Sequence, residues 1–293
     1  MFEPGFTHRQ IETSNARIHV AQGGSGPPLL LLHGYPQTHL MWHRVVPALL
    51  SSFTLVCPDL RGYGDSSKPA GQANHANYSK RAMAQDMVEV MSALGFERFA
   101  MAGHDRGARV GHRLALDHPE RLTRLCVMDI APTLHMFDQT DQAFATGYYH
   151  WFFLIQPDGL PERLIGNDAA YYLREKLRRW AAPGAHFDPA VVEDYIRCFA
   201  TAEGIHASCE DYRAAATIDL EHDRASRDQR VRCPLLVLWG DTGFVNRSYD
   251  VLSVWRNYAN DVVGHTVSSG HFLPEEAPDD VADALIDFFK ETR

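Results

Sequence analysis

The stretch Met101-Ala102-Gly103-His104-Asp105-Arg106-Gly107-Ala108-Arg109 constrains this chain more than any other. An apolar run, Phe99-Ala100-Met101, leads into it, and a helical pattern continues through Ala115. Glycines stand two residues before and two residues after Asp105. That spacing predicts strand, sharp turn, helix, with one side chain thrust out at the top of a sheet. Neighbours of such a turn must be tiny, because the backbone is strained and packed closely. The projecting residue is a carboxylate rather than a serine or cysteine, and Arg106 and Arg109 lie beside it.

The segments around it alternate in type. Residues 9–22 alternate loosely and suggest an early antiparallel pair. Gly23-Gly24-Ser25-Gly26-Pro27-Pro28 is a turn cluster, and Leu29-Leu30-Leu31-Leu32 reads as a strand covered on both faces. A helical pattern around Trp42–Leu50 follows, then a buried run at Phe53–Cys57 and a glycine-rich loop, Asp59-Leu60-Arg61-Gly62-Tyr63-Gly64. Ser79 is placed to cap a helix running to about Leu94, which Gly95 ends. Leu125–Ile130 is a further strand. This order predicts a mainly parallel sheet with right-handed crossovers. From 132 to 222 the chain reads as helical and aromatic, including Tyr148-Tyr149-His150-Trp151-Phe152-Phe153, as expected for a helical lid inserted into a core of residues 1–131 and 223–293. Strands resume at Pro234–Trp239 and Val262–Ser268, and Val281–Phe289 closes the chain as an amphipathic helix.

Composition narrows the partners. A net charge of −9 with no long basic run argues against nucleic acid. In that field, an anionic small molecule needs a local basic pair, so the clustered arginines carry weight. The five cysteines form no CxxC pair and no metal-ligand spacing, and Cys57, Cys126 and Cys233 read as reduced core thiols. Met1-Phe2-Glu3-Pro4 lacks the basic and apolar regions of a signal peptide, and no run approaches the roughly 20 apolar residues of a membrane span. A cytoplasmic setting without membrane contact is the expectation.

Together His33-Gly34-Tyr35-Pro36, Asp59-x-Arg61-Gly62-x-Gly64, the elbow and Gly270-His271 resemble the α/β-hydrolase superfamily over nearly the whole length. The resemblance implies an α/β fold: a mainly parallel eight-stranded sheet flanked by helices, with active residues on loops at the carboxyl ends of strands. No G-x-S-x-G occurs, so the nucleophile position is Asp105. A carboxylate is suited to displacing a leaving group from an sp³ carbon, giving an ester that water must then hydrolyse. His271 is the candidate general base. The N–H groups of Tyr35 and Arg106 match the family's oxyanion positions. For the acid that orients His271, counting from Gly240 gives Gly243 where many relatives carry it. Asp129 and Asp241 remain as alternatives, with Asp129 preferred.

Gly103-His104-Asp105-Arg106-Gly107-x-Arg109 resembles haloacetate, specifically fluoroacetate, dehalogenases, where haloalkane dehalogenases and epoxide hydrolases carry an aromatic residue at position 106. The resemblance implies a small haloacid substrate whose carboxylate is clamped by Arg106 and Arg109. It also implies a halide held by His150, Trp151 and Tyr212, three neutral donors. Phe137, Tyr149 and Trp180 are further candidates to line the pocket. The expected enzyme needs no cofactor and no metal, and a homodimer is implied. Two other readings stay open: an epoxide hydrolase using the same aspartate, which requires two lid tyrosines, and a non-catalytic ligand-binding member of the fold.

Overall fold

Leu29–Leu32 have no side-chain surface in water, and they form the end of β3 (Pro28–Leu32). In the computed structural model, which describes residues 5–290, this strand lies between β4 (Thr54–Pro58) and β5 (Phe99–His104), parallel to both. Met1–Pro4, on which the reading of no signal peptide rests, lies outside the described residues. A strand covered on two faces has no use for alternation, which is why the run is continuous leucine. Beyond β5 come β6 (Leu122–Met128), β7 (Leu235–Gly240) and β8 (Val262–Val267), each parallel to its neighbour. On the other side, β1 (Thr7–Glu12) and β2 (Arg17–Gly24) supply the antiparallel pairs. The eight-stranded sheet has the order β1-β2-β4-β3-β5-β6-β7-β8, the mainly parallel architecture expected.

That order places the site. The chain leaves β3 towards β4 on one side and returns to β5 on the other. The loops after β3 and β5 therefore part, and a crevice opens at the carboxyl ends of those strands. Helices secure the frame. Ser79 Oγ caps the Lys80–Ala93 helix by accepting from Ala82 N at 3.1 Å, and Gly95 takes the left-handed conformation (φ +83°) just beyond it. Arg61 in the glycine-rich loop is paired to Asp86 of that helix through Nε and Nη2, at 2.8 and 2.7 Å.

One expected helix is broken. In place of a run over Trp42–Leu50, the chain forms a 3₁₀ turn at His39–Trp42 and a short helix at Val46–Leu49. Pro47 has no N–H to give to a preceding turn, so it sits in the first turn of a new helix instead. Between β6 and β7 the helices run from Thr133–Asp138 to Ile218–Ala225, and residue 222 falls inside the last of them. No helix among the described residues is long and apolar enough to cross a membrane.

A buried carboxyl links two of the site's loops. Glu275, in the Leu273–Glu276 turn of helix, accepts from the side chain of Gln37, which follows β3. Its Oε1 has no partner, and burial pushes its pKa up to about 8. The unfolded carboxyl titrates at its ordinary value of 4.5, so between there and about 8 the folded state holds a proton that the unfolded state has released. Stability contributed by this group is therefore present in acid and lost as pH rises through that window. Glu275→Gln keeps the shape without the ionisation. It should raise the melting temperature by ~2 °C or more at alkaline pH, corresponding to ~1 kcal/mol or more, with little change in acid; equal melting curves at both ends of the range would refute this.

Candidate active site

At Asp105 the chain turns from β5 into the Arg106–Asp117 helix through a strained conformation, φ 44° and ψ −111°. The packing explains the flanking glycines. A Cβ at Gly107 would stand 2.5 Å from His33 O, and one at Gly103 would stand 2.7 Å from Ala108 N. Gly34, in the loop after β3, allows a further close approach to the turn: its Cβ would lie 2.7 Å from that of Asp105. This contact brings the Tyr35 N–H onto Asp105 Oδ2 at 3.1 Å. Arg106 opens the helix, where first-turn N–H groups have no carbonyl partner within the helix. Asp105 is buried, which by itself raises a carboxyl pKa. The fields of His271, Arg109 and Arg106 outweigh burial and hold it below the ordinary carboxylate range.

His271 follows β8 and reaches Asp129, which follows β6. His271 Nδ1 lies 2.6 Å from Asp129 Oδ2, while Asp129 Oδ1 accepts from Gly240 N at 3.1 Å. Asp129 itself takes a left-handed conformation, φ 50°. Asp241 points elsewhere: it is exposed, and its Oδ1 accepts from Ser269 N at 3.2 Å. A Cβ built at Gly243 would lie 3.4 Å from Asp129 Oδ1. Position 243 therefore faces the same spot, and the β6 carboxylate occupies it. Burial works to lower the pKa of His271. The hydrogen bond to Asp129 and the fields of Asp129 and Asp105 outweigh it, so the pKa is raised. The His271 loop also meets the inserted helices, since His271 N donates to Trp180 O at 2.8 Å and Glu276 accepts from Ala182 N at 2.7 Å.

The two arginines are not equivalent. Arg106 is bidentate to Asp211, with Nε on Oδ2 at 2.8 Å and Nη2 on Oδ1 at 2.7 Å, and its guanidinium lies 4.3 Å over the Tyr212 ring. Only Nη1 is without a partner. The same carboxylate pairs with Lys80 and accepts from Tyr63 OH at 2.6 Å. Arg109, equally buried, has no carboxylate partner among the described residues. Its Nη1 donates to Ala131 O and Thr133 Oγ1, both at 3.0 Å, and its Nε has no partner. It lies 4.8 Å over the Trp151 ring.

His150, Trp151 and Tyr212, the three residues that the resemblance implies for a halide, lie near one another. The His150 ring lies 5.4 Å from that of Tyr212 and 4.5 Å from that of Trp180, and Trp151 lies 6.4 Å from Tyr212. Trp180 thus belongs to this wall, and Phe137 stands behind Trp151 at 5.0 Å. Tyr149 is partly exposed and lines the outer cavity that reaches His271, its ring packed on the ammonium of Lys176. Burial, then the nearby cations Lys176, Arg106 and Arg109, push His150 well below its ordinary value, so its ring is neutral, and Nδ1 has no partner. A cavity of about 560 Å³, lined by Tyr148, Trp180, Phe244 and Arg247 among others, reaches His271 from outside. Asp105 does not line it.

Sequence reasoning overlooked three residues. Asp211 neutralises Arg106; it stands beside Tyr212, and the need for a counter-ion to a buried arginine was its available signal. Tyr148 is buried, and Asp129 and Asp105 add to the burial that raises its pKa, so its phenol lies in the field of both carboxylates. Lys176 is a buried amine with Nζ on Tyr149 OH at 2.7 Å, brought down to about 7 by burial and Arg179.

Three comparisons extend this geometry. The model of the alpha/beta hydrolase fold family matches residues 27–278. A fluoroacetate dehalogenase from a Burkholderia species is 46% identical over 294 residues, covering all of this chain and 96% of its own length. A soluble epoxide hydrolase from Corynebacterium sp. (strain C12) is 33% identical, covering 98% of both chains. Among solved structures, a protein from Nostoc sp PCC 7120 superposes with a TM-score of 0.97 at 58% identity, covering 98% of this chain and 99% of its own.

The Asp211 network makes a stability prediction. Asp211→Asn leaves Arg106 and Lys80 buried without their shared anion, and removing one partner from a buried ion pair costs about 3–5 kcal/mol. Urea unfolding should show a loss of that order. A loss under ~1 kcal/mol would mean that the pairing contributes little.

Proposed function

The chain belongs to the α/β-hydrolase fold family, and from that premise we propose that it hydrolyses a small 2-haloacid such as fluoroacetate to glycolate and halide. The observation that carries the reading is Arg109, a buried cation beside Asp105 with no carboxylate paired to it among the described residues. An anionic substrate is the partner that such a group lacks. Arg109, with Nη1 of Arg106, holds the substrate carboxylate. Asp105 Oδ then attacks the α-carbon, a C–O bond forms as the C–halogen bond breaks, and the halide leaves with the electron pair. N–H and O–H groups of His150, Trp151 and Tyr212 receive it. His271 takes a proton from water, and the hydroxide adds to the Asp105 ester carbonyl. The oxyanion is met by the N–H groups of Tyr35 and Arg106, and the intermediate collapses with return of the proton to the glycolate oxygen. Asp129 keeps the His271 proton on Nδ1 and so frees Nε2 to act as base. In the same reading, the helices from 132 to 222 are a cap over the core, and Trp180 joins the halide wall. A cytoplasmic setting agrees with the free cysteines, and exposed Leu160, Leu164 and Tyr171 offer apolar surface to a second copy.

Tyr148 supports a second reading. Together with Tyr212 it gives two buried phenols in the neighbourhood of Asp105, the pair that an epoxide hydrolase uses to protonate the ring oxygen. Incubation with fluoroacetate, chloroacetate and a styrene-oxide-type epoxide separates the readings. Halide release abolished by Asp105→Ala and reduced at least ~100-fold by Arg109→Leu is the expected outcome. Diol formation without halide would replace it with the epoxide reading, and neither product would leave a ligand-binding protein.

The two steps should also part with pH. Asp105 is held ionised to below the ordinary range, so alkylation persists in mild acid. His271 must be neutral to act, and its pKa is raised, so ester hydrolysis fails as pH falls through a value above 6.5. His271→Asn should release one halide per site and leave a glycolyl ester on Asp105, visible by mass spectrometry. Steady turnover in that variant would remove His271 from the role of base.

A further inference from the structure

Three histidines from separate segments converge at the sheet edge formed by β1 and β2. His8 lies on β1, His19 on β2 and His39 in the 3₁₀ turn at His39–Trp42. One ring nitrogen from each lies within 4.8 Å of the other two. His8 Nδ1 and His19 Nε2 are 3.2 Å apart. Two nitrogens each ~2.0–2.1 Å from a tetrahedral ion stand ~3.3–3.4 Å from one another, so this pair already has the required edge.

Behind the rings sits Asp59, with no exposure to solvent. Its Oδ2 meets His19 Nδ1 at 2.9 Å, and its Oδ1 meets His39 Nδ1 at 2.8 Å. Backbone N–H groups of His39 and Asp65, at 2.8 and 2.9 Å, hold the carboxylate in place. A carboxylate that accepts from Nδ1 fixes the tautomer in which the lone pair is on Nε2, which is how proteins orient histidine towards a metal. One acid sets two rings in this way. His19 and His39 are buried while His8 is exposed, so the third ligand is also the door to the site.

We propose that His8, His19 and His39 bind a divalent transition-metal ion of the zinc type, with Asp59 positioning two of the rings and water completing the shell. Imidazole suits Zn²⁺, Cu²⁺ and Ni²⁺ far better than Mg²⁺ or Ca²⁺. On binding, the proton on His8 Nδ1 is released or moves to Nε2, and His8 Nδ1 and His19 Nε2 give their lone pairs to the ion in place of their mutual hydrogen bond. The ion ties the edge strand β1 to β2 and to the 3₁₀ turn. It takes no part in the hydrolysis proposed above.

The test uses the full-length chain stripped with a chelator and titrated with Zn²⁺ by calorimetry near neutral pH. The expected result is one equivalent bound per chain, with affinity falling at least ~10-fold in His8→Ala and in His19→Gln, and unchanged in His186→Ala, an exposed histidine elsewhere. His8 is exposed, so His8→Ala should keep the wild-type circular dichroism spectrum. With Cu²⁺ as a probe, paramagnetic resonance should show nitrogen coupling from three imidazoles in the wild type and fewer in His8→Ala. No saturable zinc binding, or equal affinity in wild type and His8→Ala, would overturn the proposal and leave a hydrogen-bonded histidine cluster.

Discussion

An ionised carboxylate kept away from water is the condition around which this molecule is built. Burial alone raises the pKa of Asp105, and the proposed reaction needs this group ionised. The fold answers with positive charge from several elements: Arg106 and Arg109 on the helix that the carboxylate begins, and His271 after the last strand. Permanent charges bring their own cost. Buried cations repel each other, and Arg106 shares the carboxylate of Asp211 with Lys80, which also lies 3.8 Å from Asp219. Arg109 is left without a carboxylate paired to it among the described residues. The imbalance suits a site that must admit a second anion.

The sheet order makes such a gathering feasible. Because β4 and β5 lie on opposite sides of β3, the loops after β3 and β5 diverge at their ends and leave a crevice. Strands β6 and β8 end beside it, and Asp129 and His271 meet there although they are 142 positions apart in the chain. Contacts such as Glu276 to Ala182 N and His271 N to Trp180 O tie the same ends to the inserted helices. The aromatic wall is thereby held against His271 rather than floating above it.

Much of this was legible because it rests on local steric demand. Gly103 and Gly107 announced the elbow since no other residue fits within 2.7 Å of neighbouring backbone, and the leucine run announced a strand covered on both faces. What depends on long-range partners was not legible. Arg106 and Arg109 look alike on a helix; they differ because Asp211, over a hundred positions later, chooses one of them. Counting from Gly240 led to a glycine, and only in three dimensions is the Asp129 carboxylate found where a side chain at position 243 would point. Tyr148 lies between two short helices, Gln142–Gly147 and His150–Phe153, so no periodicity told which aromatic faced inward. The helix over Trp42–Leu50 failed for a local reason, Pro47, that a stricter reading could have used.

In the proposed reaction the leaving-group side obeys a different rule from the carboxylate side. On the proposed reaction, negative charge moves during attack from Asp105 onto the halogen, so groups there help only by interacting more strongly with the transition state than with the substrate. A full positive charge at that spot would also hold the product halide and slow its release. His150 is kept neutral by burial and by the cations around it, and its neighbours Trp151 and Tyr212 are neutral by nature. Lys176 stands behind Tyr149 and Trp180, an amine brought down to about 7, so even this nearby ammonium is weakened. Fixed dipoles in a dry pocket gain strength as the halide forms and need no reorientation. On the proposed reaction, permanent charge therefore stands where the substrate is anionic from the start, and neutral donors stand where charge only develops.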